Sequence, residues 1–194
     1  MRPLLVSVVV CMAMLAGCSS PRASFYRLSA DPSLTATTAR ADSRPVIVGP
    51  VTVPDLVDRP QIVTRDTSNE VTLNEYARWG EPLRSSIADA IAGDLALLLA
   101  SDRVAPASRA IADANAWRVR VDIQQFESVP GDAVVIDAHW SVRRFGDDNA
   151  LDGRSLVREP VNGSDWDALV AAHSRALASV SRDIATAMGG KGVK

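Results

Sequence analysis

Trp117-Arg118-Val119-Arg120-Val121-Asp122-Ile123-Gln124 alternates apolar and polar side chains at every step. A period of two marks a strand with one face in a core and the other in water. Downstream, Val134, Ile136, Ala138, Trp140 and Val142 repeat the pattern, and Pro130-Gly131-Asp132 between the two runs is a turn signal. The pair reads as an antiparallel hairpin, with Trp117 and Trp140 on its apolar faces and both expected to be largely buried. Gly146 to Gly153 reads as another polar turn, and Ser155 to Val161 as a third strand.

Helical spacing flanks this hairpin on both sides. Leu83, Ile87, Ile91, Leu95 and Leu98 recur every three or four residues, which predicts an amphipathic helix to about Leu99. Pro82 suits its first turn, where a missing N–H costs nothing. Asp89 and Asp94 fall off the stripe. After the hairpin, Trp166, Leu169, Val170, His173, Leu177, Val180, Ile184 and Met188 mark one face of a final helix. Ser164 is placed to cap it, Asp165 and Asp167 favour its first turn, and Gly189-Gly190 ends it.

Upstream of the first helix, Val46 to Val53 is a β-branched run and reads as a strand. Gly49-Pro50 within it predicts a bulge or an edge position, because Pro50 cannot donate to a ladder. Gln61–Arg65 and Glu70–Leu73 read as short strands joined by Asp66-Thr67-Ser68-Asn69. The expected fold is therefore α+β: a largely antiparallel sheet covered by two amphipathic helices.

The N-terminus carries a different message. Arg2 precedes an apolar run from Leu4 to Ala16, a secretory signal peptide too short to span a bilayer. It closes on Leu15-Ala16-Gly17-Cys18, which looks like a bacterial lipobox. Cleavage before Cys18 and acylation of its thiol would hang the mature chain from a membrane by lipid; the bland alternative is an ordinary signal peptide with a chance cysteine. The expected organisation is signal peptide 1–17, lipidated Cys18 and tether 18–44, a single α+β domain 45–189 and a mobile tail 190–194. Phe25-Tyr26-Arg27-Leu28 interrupts the tether as a candidate first short strand, and the alternative is that 18–44 belongs to the fold throughout.

Composition narrows the functional classes. The whole chain has 194 residues, 21 basic against 23 acidic, and 47% hydrophobic residues. Loss of the signal removes the single charge of Arg2, so the mature net charge moves from −2 to about −3. No basic excess points to nucleic acid or to anionic lipid as the main partner. Of the two cysteines, Cys11 leaves with the signal and Cys18 would be acylated, so the domain holds no disulfide.

Residues with catalytic habits are sparse. The two histidines, His139 and His173, are far apart; the first lies on a polar strand face and the second on or near an apolar helix stripe, where a lone histidine is usually structural. No Cys/His spacing suits a metal, Asp147-Asp148 lacks a calcium-loop pattern, and neither Gly-x-Ser-x-Gly nor a glycine-rich phosphate loop occurs. No catalytic residue, metal site or cofactor is therefore assigned. The polar stretch Pro54 to Leu83 stands out instead, because it holds Arg59, Arg65, Arg78 and Trp79, residue types common at binding hot spots. Arg59, Arg65 and Trp79 are the candidate partner-binding residues. The alternative reading packs Trp79 against the helix start and leaves the arginines solvated.

Val48-Gly49-Pro50-Val51-Thr52-Val53-Pro54, Asp58-Arg59-Pro60-Gln61-Ile62-Val63-Thr64-Arg65 and Trp79-Gly80-Glu81-Pro82-Leu83 together resemble the ABC-type transport auxiliary lipoproteins, the PqiC-type family of the paraquat-inducible system. The lipobox, Phe25–Leu28 and the two-helix plan also match, and Leu56 departs from the aromatic residue the family often carries there. The resemblance implies an outer-membrane lipoprotein with no established catalytic activity. Its implied partner is a periplasm-spanning MCE-type protein in lipid transport between membranes, and copies of the chain associate in this reading. Ser19, rather than an inner-membrane retention Asp, follows Cys18 and agrees with the outer membrane. Two other classes stay open: an assembly lipoprotein of another envelope machine, such as lipopolysaccharide transport or secretion, and a lipid-anchored periplasmic enzyme.

Overall fold

The strand that begins at Trp117 runs through Val129, 13 residues in all, and a bulge between Ile123 and Gln125 shifts its alternation by one residue. A computed structural model describes residues 22–36, 44–144 and 150–189. The signal segment, Cys18, the first part of the 146–153 turn and the tail from 190 lie outside the described residues. In chain order the elements are β1 (Ser24–Tyr26), β2 (Val46–Thr52), β3 (Gln61–Arg65), β4 (Val71–Trp79), α1 (Leu83–Leu98), β5 (Val104–Pro106), β6 (Trp117–Val129), β7 (Ala133–Arg144), β8 (Leu151–Pro160) and α2 (Trp166–Gly189). The fold is α+β, with two helices and mixed sheets.

Two sheets form. The larger has the order β5-β2-β6-β7-β8 and the smaller β1-β4-β3. β6, β7 and β8 are an antiparallel meander, and β3 pairs antiparallel with β4. The remaining pairings, β2 with both β5 and β6 and β1 with β4, are parallel. A parallel neighbour requires a crossover, and α1 supplies the one between β2 and β5. Within β2, Gly49 (φ +131°) and a cis Gly49–Pro50 bond sit where the register against β6 shifts, so Pro50 carries no ladder duty. β2 is thus a bulged interior strand and not an edge strand.

One face of the large sheet is apolar, with Val48, Val119, Val121, Ile136, Ala138 and Val142 fully buried. α1 lies against β2 and β5, α2 lies against β7 and β8, and the two helices touch. Their stripes match the spacing read from sequence: Leu83, Ile87, Ile91, Leu95 and Leu98 in α1, and Leu169, Val170, His173, Leu177, Val180, Ile184 and Met188 in α2. At about 25 cal/mol per Å2 of apolar surface, such side chains each contribute roughly 1.5–3 kcal/mol on burial. The caps differ from expectation. Pro82 is the N-cap of α1 and not its first helical residue. In α2 the Asp165 carboxylate, and not the Ser164 hydroxyl, accepts the Ala168 N–H at 2.8 Å.

Three further expectations are corrected. Trp140 is 9% exposed, as its register predicts, but Trp117 is only half-buried. Trp117 opens β6 opposite Arg144, the last residue of β7, so it lies at the open end of the sheet, under the Arg144 guanidinium at 5.8 Å. β4 runs to Trp79, well past Leu73, because Asn74 bridges a bulge: its side-chain Oδ1 accepts the N–H groups of Tyr76 and Ala77 at 3.0 and 2.7 Å. The third correction concerns the tether. Residues 24–34 belong to the fold, since β1 pairs with β4 and Leu28 and Leu34 are buried.

After β1 the chain is strapped across both helices. Leu28 N–H donates to Ser86 Oγ (3.1 Å) on α1, Ser29 N–H to Ser174 Oγ (3.3 Å) on α2, and Asp31 N–H to Asp94 Oδ1 (2.9 Å) on α1. Gly93 makes the close crossing feasible, because a Cβ there would stand 2.8 Å from the Ala30 Cβ. The strap also explains why Asp94, off the stripe in sequence, is fully buried.

Candidate functional site

The three candidate partner-binding residues lie around the small sheet but differ in access. Trp79 is 5% exposed. Its ring meets Phe126 and His173 edge-on, with centroids 6.3 Å away in both cases. Along β4, Ala77 and Trp79 point into the core while Arg78 points out. Trp79 therefore joins the small sheet to β6 and α2 and offers nothing to a partner. The Ala77/Trp79 parity was visible in the sequence, but Asn74-Glu75 read as the end of the strand.

Arg65 Nε lies 2.9 Å from Glu127 Oε2, with both side chains about one-third exposed. This pair ties the β3–β4 hairpin to β6; partly exposed pairs of this kind contribute about 0–1 kcal/mol. Arg59 is half-buried in the loop between β2 and β3, and its Nε has no hydrogen-bond partner. Its neighbour Asp58 is held below the ordinary carboxylate range by hydrogen bonds from Arg84, whose Nε donates at 3.1 Å. Arg78 is also half-buried with an unpartnered Nε, and Glu81 Oε1 lacks a partner as well. Among the described residues, the buried Nε atoms of Arg59 and Arg78 are left without a hydrogen-bond partner.

The outward face of the large sheet is polar. Arg118 stands directly across from Arg143, and Arg120 faces Ser141. Like charges opposite one another on a sheet are unfavourable. Nearby, Arg154 makes a two-pronged contact with Asp137 (2.8 and 2.7 Å) that holds the carboxyl below its usual range. A shallow depression of about 220 Å3 lies between these features, lined by Arg120, Asp122, His139, Ser141 and Asp152. His139 is exposed there, as its strand parity predicts. A second hollow of about 350 Å3 sits beside β5, lined by Val46, Ile47, Val104, Arg109 and Ile111.

Ser128 and His173 resemble a nucleophile–base pair in distance alone. Ser128 Oγ lies 2.8 Å from His173 Nε2, but the residues are 2% and 0% exposed. His173 stacks on Phe126 at 4.2 Å, and burial pushes its pKa down to about 3. A neutral, sealed imidazole of this kind serves packing. Asp94 is the other strongly shifted group. Burial pushes its pKa up to about 7, against the opposing hydrogen bonds from Asp31 and Ser181. Among the described residues no group of three or more His, Cys, Asp or Glu side chains could hold a metal. Among them, too, no helix is long and apolar enough to cross a membrane.

Comparison with known proteins follows the same geometry. A family model for the ABC-type transport auxiliary lipoprotein component matches residues 26–185. The comparison with curated proteins finds no match. Among solved structures, the crystal structure of protein XCC0632 from Xanthomonas campestris, of family-model DUF330, superposes with a TM-score of 0.62 at 20% identity, covering 89% of this chain and 97% of that one. The crystal structure of an uncharacterized protein superposes with a TM-score of 0.69 at 19% identity, covering 85% and 97%. At these identities the likeness is one of fold.

Proposed function

The chain belongs to the ABC-type transport auxiliary lipoprotein component family, and on that premise we propose that it is a non-catalytic, lipid-anchored subunit of an MCE-type intermembrane lipid transporter. In this reading Cys18 is the acylated first residue of the mature protein and the anchor sits in the periplasmic face of the outer membrane. The carrying observation is the family match over residues 26–185, directly behind the Leu15-Ala16-Gly17-Cys18 box. Anchoring by several acyl chains is nearly irreversible, since each buried methylene adds about 0.8 kcal/mol. The sealed Ser128–His173 pair fits an assembly role better than hydrolysis. The partner is the periplasm-spanning MCE-type protein, and identical copies associate around its conduit, where closed symmetry would suit a rotationally symmetric tunnel.

Arg59 is the partner-facing side chain in this reading, able to give charge-assisted hydrogen bonds to carboxylates or carbonyls, and Arg65 joins it by exchanging Glu127 for a carboxylate of the partner. The test is crosslinking of the acylated protein in cells, followed by identification of the captured partner. Capture of the MCE-type protein is expected. Arg59→Ala and Arg65→Ala should weaken it while leaving the melting temperature nearly unchanged. Capture of lipopolysaccharide-transport or secretion subunits instead would assign the chain to another envelope machine.

A further inference from the structure

The tether is far shorter than composition suggests, and its length decides which side of the domain meets the bilayer. Six residue steps separate Cys18 from Ser24, the first residue of β1. A fully extended chain covers at most about 3.6 Å per residue, so the anchor reaches no further than about 22 Å from β1. A domain of this size has a radius of gyration of about 15 Å and is roughly 40 Å across. The lipid therefore cannot reach round to the far side, and the β1 edge of the small sheet stays close to the membrane.

That sheet is dressed for the task. Eight large hydrophobic side chains are exposed among the described residues, and five of them, Phe25, Leu56, Val71, Leu73 and Tyr76, lie on the small sheet or in the loop feeding it. Phe25 is 67% exposed and Tyr76 50%. Phe25 pairs in register with Arg78, so the two side chains share the face opposite Ala77 and Trp79. Tyr76 stands in the adjoining bulge of β4. A clustered exposed apolar patch marks an interaction site. Aromatic rings settle at the headgroup level of a bilayer, and a guanidinium on the same face is suited to lipid phosphate.

We infer that the outward face of the small sheet, centred on Phe25, Tyr76 and Arg78, lies directly on the lipid bilayer that holds the anchor. The domain is thereby fixed in orientation relative to the anchoring surface. This inference rests on the reading of Cys18 as the acylated residue.

Because the folded domain holds no other cysteine, single labels report cleanly. Acylated full-length mature protein carrying Phe25→Cys, Tyr76→Cys or, as controls, Leu156→Cys or Ile111→Cys is labelled with an environment-sensitive fluorophore. Leu156 and Ile111 are also exposed, at 64% and 89%, but lie on the large sheet and in the segment after β5. Each protein is reconstituted on vesicles of phosphatidylethanolamine and phosphatidylglycerol containing headgroup spin-labelled lipid, and flotation is measured in parallel. Labels at 25 and 76 should be quenched several-fold more than those at 111 and 156. Using two positions guards against Phe25→Cys disturbing β1. Flotation with equal quenching at all positions overturns the docking face alone. Failure to float overturns the anchor at Cys18, and the docking face with it. Labels at 25 and 76 already shielded from aqueous iodide in detergent would assign the patch to a protein neighbour and overturn the membrane assignment.

Discussion

Asp94→Asn should abolish a pH dependence that the native protein carries at one buried carboxyl. Asp94 Oδ1 accepts the Asp31 N–H at 2.9 Å, and Oδ2 lies 3.0 Å from Ser181 Oγ. Ser181 has a single hydroxyl proton, and the Leu177 carbonyl stands 2.9 Å from the same oxygen. An ionised Asp94 accepts the Ser181 hydroxyl proton, whereas a protonated Asp94 can give its O–H to Ser181 and leave the Ser181 proton to the Leu177 carbonyl. Burial pushes the Asp94 pKa up to about 7 from 3.8, helped by the negative charge of Asp31 and opposed by Arg182. Between pH 4 and 7 the unfolded chain has released this proton and the folded chain keeps it. The Asp94 contribution to stability therefore falls as pH rises through that window, while buried His173, pushed down to about 3, contributes in the opposite sense in both proteins. About three pH units at 1.36 kcal/mol each bounds the loss at roughly 4 kcal/mol, a large part of the 5–15 kcal/mol that holds a typical domain. Asparagine presents the same donor and acceptor as the neutral acid and does not titrate. Urea unfolding of the native protein and Asp94→Asn should thus agree near pH 4 and diverge by up to about 4 kcal/mol at pH 8, with the asparagine variant the more stable. Asp58 and Asp137, held below their ordinary range by arginines, and buried His173 are common to both proteins and cancel in the difference. A difference between the two proteins that is flat from pH 4 to 8 would refute the reasoning.

Two other perturbations probe packing. Trp140 donates Nε1–H to Ser155 Oγ at 3.1 Å and lies over Gly153 of β8, so Trp140→Ala should cost about 3–5 kcal/mol in urea unfolding; an unchanged midpoint would show that the ring is not part of the core. Gly93→Ala drives a methyl into Ala30 of the strap and should cost about 1–3 kcal/mol, which Ala30→Gly should largely restore in the double variant; simple additivity of the two changes would place the strap elsewhere.

Much of the architecture was legible because it rests on local periodicity. The stripes from Leu83 to Leu98 and from Leu169 to Met188, and the alternation through Val119–Ile123 and Val134–Val142, each require only neighbouring residues to share a face. The Gln61–Arg65 hairpin and the bulge at Gly49-Pro50 are equally local, being written in turn and backbone chemistry. These features follow from the amino-acid order alone.

What the sequence could not decide is everything set by distant segments meeting. Asp94 looks like a surface residue on its helix wheel and becomes buried because Asp31, 63 positions earlier, crosses over it. Trp79 has the composition of a hot spot and is spent in the core because β4 bends at Asn74 and turns its last residues inward against Phe126 and His173. Ser24–Leu34 has the composition of a tether and folds because β4 offers an open edge and the helices offer Ser86, Ser174 and Asp94 to its N–H groups. Burial of a polar residue depends on which partner satisfies it, and periodicity carries no record of partners remote in sequence. The amino-acid order set which elements form; tertiary contact decided which of their polar residues are buried and drew Ser24–Leu34 onto the domain.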